Sequence, residues 1–259
     1  DFESGSHYLT FASRGGIVKR TALKEYRNVH KSGIIAVGLK ENDGLLDVAL
    51  TSGSDDLLLV TAAGMAIRFN EQDVRLMGRS AAGVKGIGLA GQDSGPESGE
   101  TEGEATGAFK PGGDEVIGLV QIPMTPDADG DLMTTDPTIT LLTISENGYG
   151  KRTAVDEYRV QPETGKIRSQ SRGGKGRADI KTTERNGRSV AALAVKDRDG
   201  VVVVSKGGQL VRMAASSISV IGRGTQGVRV AALNEGDKVI AAGRVPETES
   251  GEPPAAPAV

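Results

Sequence analysis

Four times along the chain an apolar run breaks at a glycine and resumes toward an arginine four residues on: Gly16-Ile-Val-Lys-Arg20, Gly64-Met-Ala-Ile-Arg68, Gly148-Tyr-Gly-Lys-Arg152 and Gly208-Gln-Leu-Val-Arg212. The preceding runs are Tyr8-Leu-Thr-Phe-Ala12, Leu57-Leu-Leu-Val-Thr61, Ile139-Thr-Leu-Leu-Thr-Ile144 and Val201-Val-Val-Val-Ser205. Glycine supplies the positive φ of a tight hairpin turn, so each copy predicts strand, turn, strand. A unit this small cannot bury its own apolar face, and its recurrence confines the chain to a fold built by stacking repeats.

After each hairpin a basic, glycine-containing segment leads into more apolar residues: Lys31-Ser-Gly33-Ile-Ile-Ala-Val, Gly78-Arg79-Ser-Ala-Ala-Gly83-Val-Lys85, Arg172-Gly-Gly-Lys-Gly176 and Gly222-Arg223-Gly-Thr-Gln-Gly227-Val-Arg229. A closing strand follows in each: Leu45-Leu-Asp-Val-Ala-Leu50, Val116-Ile-Gly-Leu-Val120, Val190-Ala-Ala-Leu-Ala-Val195 and Val239-Ile-Ala-Ala-Gly243. Each repeat therefore holds roughly four strands, the content of a propeller blade. The expected fold is all-β, a propeller-like pinwheel over residues 1–245 with about four blades, at about 1–50, 51–122, 138–195 and 199–245. Gly64 to Gly148 spans 84 residues against 48 from Gly16 to Gly64, and two insertions account for the excess, at about 91–113 and 123–137. The first is rich in Glu, Ser, Thr and Gly and the second in Pro and Asp, so both are expected as poorly ordered surface loops. The tail, 246–259, is Pro, Ala and Glu without periodicity and is expected to be disordered, an acidic segment able to compete with phosphates for basic residues.

Composition narrows the function. Without Cys there is no disulfide or thiolate chemistry, which fits a reducing cytoplasm. With His7 and His30 as the only histidines, a zinc site or a His-based triad has little to work with, and no cofactor or metal is expected. No apolar run approaches the roughly 18 to 20 residues of a membrane span, so no membrane partner is expected. Aromatic residues make up 3% with no Trp, too few for base-stacking platforms, and a nucleic-acid partner would be duplex. The net charge is −3, yet residues 151–188 hold eleven Lys or Arg against five acids, hence +6. Placement of charge, more than its total, governs binding to a phosphate backbone.

Gln170-Ser-Arg-Gly-Gly-Lys-Gly176 resembles the seven-residue box of the gyrase A proteins, Gln-[Arg/Lys]-Arg-Gly-Gly-[Arg/Lys]-Gly, at six of seven positions, with Ser171 the departure. The similarity extends over residues 8–245, through Gly64-Met-Ala-Ile-Arg-Phe69, Met77-Gly-Arg79, Gly83-Val-Lys-Gly86, Glu146-Asn-Gly-Tyr-Gly-Lys-Arg-Thr153, Asp156-Glu-Tyr-Arg159 and Gly222-Arg-Gly-Thr-Gln-Gly-Val-Arg229. The resemblance implies the C-terminal domain of the family that unites bacterial DNA gyrase A with its topoisomerase IV counterpart: a non-catalytic module that binds, bends and wraps double-stranded DNA and supports negative supercoiling by the whole enzyme. It implies as partners the gyrase A cleavage domain and the ATPase B subunit, and a nucleoid location in the cytoplasm. It also implies a six-bladed parent, with upstream blades and the principal box before Asp1. The related topoisomerase IV domain bends DNA without stable wrapping and lacks an intact box, so Ser171 keeps that alternative open. A protein-binding propeller scaffold is the other, since fold does not dictate function.

The candidate DNA contacts begin with the box, Gln170, Arg172, Gly173, Gly174, Lys175 and Gly176, where glycines let backbone N–H groups approach phosphate while Arg and Lys neutralise it. On residues alone the same loop reads equally as a solvated blade connection. Arg20, Arg68, Arg152 and Arg212, with Lys19 and Lys151 beside two of them, would set a charge on every blade along a curved edge, or are ordinary strand-end charges. Lys31, Arg79, Lys85, Arg223 and Arg229 complete the set. Tyr26 and Tyr158, each between Glu and Arg, are expected to pack between blades, and Met65, Met77 and Met213 to pack likewise.

Overall fold

A computed structural model describes residues 5–91, 112–126, 133–160 and 169–247. Most of the first insertion and of the tail lies outside the described residues. The strands are β1 (Tyr8–Ser13), β2 (Ile17–Ala22), β3 (Leu45–Thr51), β4 (Asp56–Thr61), β5 (Met65–Asn70), β6 (Val84–Lys85), β7 (Val116–Ile122), β8 (Met124–Pro126) and β9 (Met133–Thr135). Then come β10 (Thr140–Ser145), β11 (Tyr149–Ala154), β12 (Arg177–Ala178), β13 (Ser189–Val195), β14 (Gly200–Ser205), β15 (Leu210–Ala214), β16 (Val228–Arg229) and β17 (Val239–Val245). Short 3-10 turns at Leu23–Tyr26, Glu71–Asp73, Val155–Tyr158 and Ala215–Ser217 follow the four Arg-containing strands. The all-β expectation holds, with no α-helix among the described residues.

Antiparallel ladders sort the strands into four blades, with orders β3-β1-β2-β6, β7-β4-β5-β12, β13-β10-β11-β16 and β17-β14-β15. The hairpins fall where the glycines predict, the turn glycines holding φ between 76° and 85°. One expectation is corrected: the basic segment does not complete its own repeat's blade. β6, β12 and β16 belong to the second, third and fourth repeats, yet they pair with β2, β5 and β11 of the blade before. The outer edge of each hairpin is a row of unpaired N–H and C=O groups, and the next repeat fills it. Among the described residues blade 4 holds three strands.

This exchange explains why the runs in β4 and β10 do not alternate. Leu57 and Leu59 join Ala12 and Val18 of blade 1, while Leu58 and Val60 join Leu141 and Tyr158 of blade 3, so both faces of the strand are buried. Leu142 and Ile144 in turn meet Val201 and Val203. Each such buried side chain contributes about 1.5–3 kcal/mol. Val202 and Val204, on the far face of blade 4, are only half-buried. The inner strands β3, β7, β13 and β17 face a central channel of about 760 Å³. At Gly118 in β7 a Cβ would fall 2.7 Å from Cβ of Ala192 in β13, so the inner strands meet closely there. Residues 123–137, expected as a loop, contain the β8–β9 ladder, with Met124 buried in the core shared by blades 2 and 3.

The repeated arginines lie at these junctions, which overturns their expected place on an outer edge. Arg20 donates Nε to the Val74 carbonyl (3.1 Å) and Nη1 to Glu71 (3.3 Å). Arg68, fully buried, donates Nε to Asp56 (2.8 Å) and Nη1 to the Val155 carbonyl (2.9 Å) and Asp156 (3.1 Å). Arg152 donates to the Ile218 carbonyl (2.8 Å) and to Asp197. Each arginine thus reaches the 3-10 turn of the following repeat. A fork of fixed donors suits this task, because it can bridge a carboxylate and a carbonyl at once. Among the described residues no blade follows Arg212, which is exposed.

Replacing Arg68 by Ala leaves the Asp56 carboxylate, 2% exposed, without its guanidinium partner. Loss of one partner of a buried pair costs about 3–5 kcal/mol. Chemical denaturation of Arg68→Ala is expected to show a loss of that size, and a loss below about 1 kcal/mol, the range of exposed pairs, would refute the structural role.

Candidate nucleic-acid interface

The basic segments stack on one another from blade to blade. Gly38 N–H donates to the Ala81 carbonyl (3.2 Å), Gly88 N–H to that of Gly174 (2.8 Å) and Lys181 N–H to that of Thr225 (2.8 Å). The three bonds join equivalent positions, each donor five residues after its segment's glycine (Gly33, Gly83, Gly176) and each acceptor two residues before the next one (Gly83, Gly176, Gly227). Gly173 N–H donates to Gly86 (2.7 Å) and Gly224 N–H to Asp179 (2.6 Å), closing the same seam. The outcome is a continuous rim of backbone running across the four repeats.

On this rim the box is anchored at one end and open at the other. Gln170 N–H donates to the Arg68 carbonyl (2.8 Å). Arg172 donates Nε to the Asp73 carbonyl (2.8 Å) and Nη1 to that of Lys85 (3.0 Å), so it pins the box to the preceding segment. Gly173 and Gly176 take positive φ there, and Gly174 is exposed. Lys175 is exposed and has no side-chain partner among the described residues. Lys31, exposed, and Lys85, half-buried, are also unpartnered among them. Arg79 is half-buried, its Nη1 3.4 Å from the Ile35 carbonyl. Arg223 is half-buried beside Glu157, which accepts its backbone N–H (3.1 Å). Arg229 is exposed, 5.7 Å from the Tyr149 ring centroid.

Lys19, Arg20, Arg68, Lys151 and Arg152 do not belong to this surface. None is more than 8% exposed, and their cationic heads are committed inside, so their expected phosphate contacts are withdrawn. Lys151 pairs with Asp179 (3.1 Å), which also accepts from Tyr158 (2.5 Å) and Thr143 (2.6 Å). Burial first, and then the Asp179 charge, raise the Tyr158 phenol far above its ordinary pKa. Tyr26 and Tyr158 are both buried, Tyr158 in the core of blades 2 and 3. The same structure adds cations that the motif did not single out. Lys181 is exposed on the rim, and Arg185 lies 4.9 Å from the centroid of the same Tyr149 ring that Arg229 approaches. Hydrogen bonds from Arg185 and then Arg229 lower the Tyr149 pKa. Lys181 and Arg185 fall within the +6 stretch, where the signal for them lay. Among the described residues no His, Asp and Glu cluster is arranged to hold a metal ion, and no helix is long and apolar enough to cross a membrane.

A profile of the family described as DNA gyrase C-terminal domain, beta-propeller, matches residues 7–52, 55–94, 140–167, 163–196 and 199–246. The DNA gyrase A protein of Salmonella typhimurium is 39% identical over 247 residues, 95% of this chain and 23% of that protein. The Staphylococcus epidermidis protein of the same name is 37% identical over 249 residues, 96% and 23% respectively. This chain thus spans less than a quarter of the length of either relative. In fold it is similar to a solved DNA gyrase A C-terminal domain (TM-score 0.67, 24% identity, 93% of this chain and 66% of that one). It is also similar to a topoisomerase IV C-terminal domain (TM-score 0.71, 23% identity, 95% and 63%).

Lys19 offers a pH test of its internal place. Its ammonium donates to the carbonyls of Ala36 (3.0 Å) and Arg79, and burial, followed by the Arg79 charge, lowers its pKa from 10.5 to about 8. Between those values the unfolded chain binds more protons than the folded one, so this group's contribution to stability rises with pH across that window and is least favourable below about 8. The stability of the parent relative to Lys19→Met, measured by denaturant unfolding, should therefore increase from pH 8 to 10.5. A difference that stays constant over that range would place Lys19 in solvent.

Proposed function

Because the chain belongs to the DNA gyrase C-terminal domain family, we propose that it is a non-catalytic module that binds, bends and wraps duplex DNA along the rim, supporting negative supercoiling by a whole gyrase. The observation that carries this reading is the continuous stacked rim with its exposed cations Lys31, Lys175, Lys181 and Arg229 and the half-buried Lys85. Duplex DNA presents one charge about every 1.7 Å of axis, so cations repeated along a curved edge meet phosphates without reading bases. The described residues offer no helix for a major groove. Bending a site of 20–30 base pairs costs on the order of 1–6 kcal/mol, which several phosphate contacts offset. In the whole enzyme the partners would be the gyrase A cleavage domain and the ATPase B subunit, in the bacterial nucleoid. A second reading, bending without stable wrapping as in topoisomerase IV, is favoured by Ser171 in place of a basic residue.

Mobility shifts on unrelated duplexes should show similar affinities that fall steeply with salt. Removing Lys85 and Lys175 together by alanine should flatten the slope of log affinity against log salt by about two, close to one per phosphate contact. Selectivity among duplexes, or a slope unchanged in the double variant, would overturn the assignment of the rim. Relaxation and ligation of circular DNA with the purified chain separates the two readings, since stable wrapping leaves constrained supercoils and bending alone does not.

A further inference from the structure

Tyr149 is held unlike the other buried tyrosines. Tyr26 donates its phenol proton to the Ala36 carbonyl (2.9 Å) and Tyr158 donates to Asp179 (2.5 Å). The Tyr149 oxygen instead accepts, from Arg185 Nε (3.3 Å) and from Arg229. A phenol oxygen occupied in this way keeps its own proton to donate, and no group among the described residues takes it. Neither guanidinium is neutralised either, since among the described residues Arg185 and Arg229 form no ion pair. Of the carboxylates nearest in sequence, Glu184 pairs with neither arginine, and Glu146 is occupied by Lys238 (3.7 Å) and the Arg188 N–H (3.3 Å). The Tyr149 ring, 4.9 Å and 5.7 Å from the two guanidinium carbons at its centroid, attracts these charges without cancelling them.

The backbone fixes all three side chains in advance. Arg229 stands opposite Tyr149 in the β11–β16 ladder. Arg185 stands in the loop between β12 and β13, where Asn147 donates Nδ2 to the carbonyls of Glu184 and Arg185 (3.0 Å each). The buried Asn186 ties the same loop down, donating to the carbonyls of Lys181 (3.0 Å) and Gln226 (3.1 Å) and accepting the Thr183 N–H (2.7 Å). Donors already in place bind an anion at a lower entropic cost than donors on free stems. The other hairpins cannot build the same group, because Ile17, Met65 and Gln209 follow their turn glycines where Tyr149 follows Gly148.

We propose that Tyr149, Arg185 and Arg229 form a phosphate clamp at the junction of blades 3 and 4, in which one backbone phosphate of the duplex accepts the phenol proton and meets both guanidinium charges. The clamp rests on the reading of the rim as a duplex-binding surface and adds a fixed point to it. Lys31, Lys85 and Lys175 are single charges on flexible stems, able to meet a phosphate over a range of positions. Guanidinium groups and a phenol held against one another demand one position, because their hydrogen bonds are directional and charge-assisted. The duplex is therefore seated at this junction and followed by the lysines elsewhere, without any base being read.

Duplex affinity across a salt series tests the clamp with Tyr149→Phe and with Arg185→Gln and Arg229→Gln combined, against the Lys85 and Lys175 double alanine variant as control. Two arginines on one phosphate release the counterions of one phosphate, so the arginine double variant should flatten the slope of log affinity against log salt by about one, where two independent contacts flatten it by about two. Tyr149→Phe keeps the ring beside both guanidiniums and should weaken binding roughly tenfold at unchanged slope, the loss of one hydrogen bond to a charged group. In protein labelled with 13C at the tyrosine Cζ, the signal missing from Tyr149→Phe reports the ionisation of Tyr149, and the remaining tyrosine signals show that the variant is folded. Duplex should move that ionisation to higher pH, because a phosphate beside the phenol disfavours the phenolate, and inorganic phosphate at equal phosphate concentration should not. Parental affinity in Tyr149→Phe, an arginine slope change of two or of none, or an ionisation that duplex leaves in place would each overturn the clamp; movement with inorganic phosphate alone would assign the group to a free anion. Clamp variants that bind as the parent while the lysine control flattens the slope sink the clamp and leave the rim, whereas no change in either sinks both.

Discussion

Everything in this molecule depends on one arrangement, in which each repeat from the second onward lends a two-residue strand to the sheet before it and receives that sheet's arginine in return. The strand completes the outer edge of the preceding hairpin, and the arginine of that hairpin holds the 3-10 turn from which the lent strand departs. Neither half is sufficient alone. Two residues make too few ladder bonds to hold a blade, and a buried guanidinium without its carboxylate and carbonyl partners would cost more than it contributes. Together they convert four weak sheets into a chain of interlocked ones, with apolar cores lying between blades and not within them.

Much of the architecture is legible in the sequence because its physics is local. Hairpins depend on a glycine and its flanks, and all four appear where the glycines stand. Unbroken apolar runs such as Leu57-Leu-Leu-Val60 signal burial on both faces, which the inter-blade cores supply. The destination of the third strand is not legible. Val84-Lys85 and Arg177-Ala178 are too short to carry a periodicity, and nothing in their composition says which edge they complete. That choice is made by the turns before them, which the arginines fix to the neighbouring blade.

The site divides along the same line. Repetition of Arg20, Arg68, Arg152 and Arg212 reads as a charge on every blade, and the repetition is real, but its cause is a junction that recurs with every blade. A periodic cation can answer a periodic ligand or a periodic fold, and only burial tells the two apart: Arg68 is sealed in the core, while Arg212, with no following turn among the described residues, is exposed. Lys175 differs because the glycines beside it leave no apolar shelter for its stem and no acceptor within reach. Lys181 and Arg185 escape a motif-based reading because they follow no motif, their only sign being the excess of positive charge between residues 151 and 188.

Gly118 and Ala192 set how closely the second and third blades meet on the inside of the arc. Because these two inner strands carry almost no side-chain volume where they meet, blades 2 and 3 close together on the channel side, like stones cut for an arch. The radius of the outer edge is therefore set some distance from the outer edge itself. A bulkier residue at position 118 would pry the inner courses apart and flatten the arch without altering a single cation. Curvature and charge are thus written in separate parts of the chain, so the path imposed on anything lying along the rim is adjustable independently of how strongly the rim holds it.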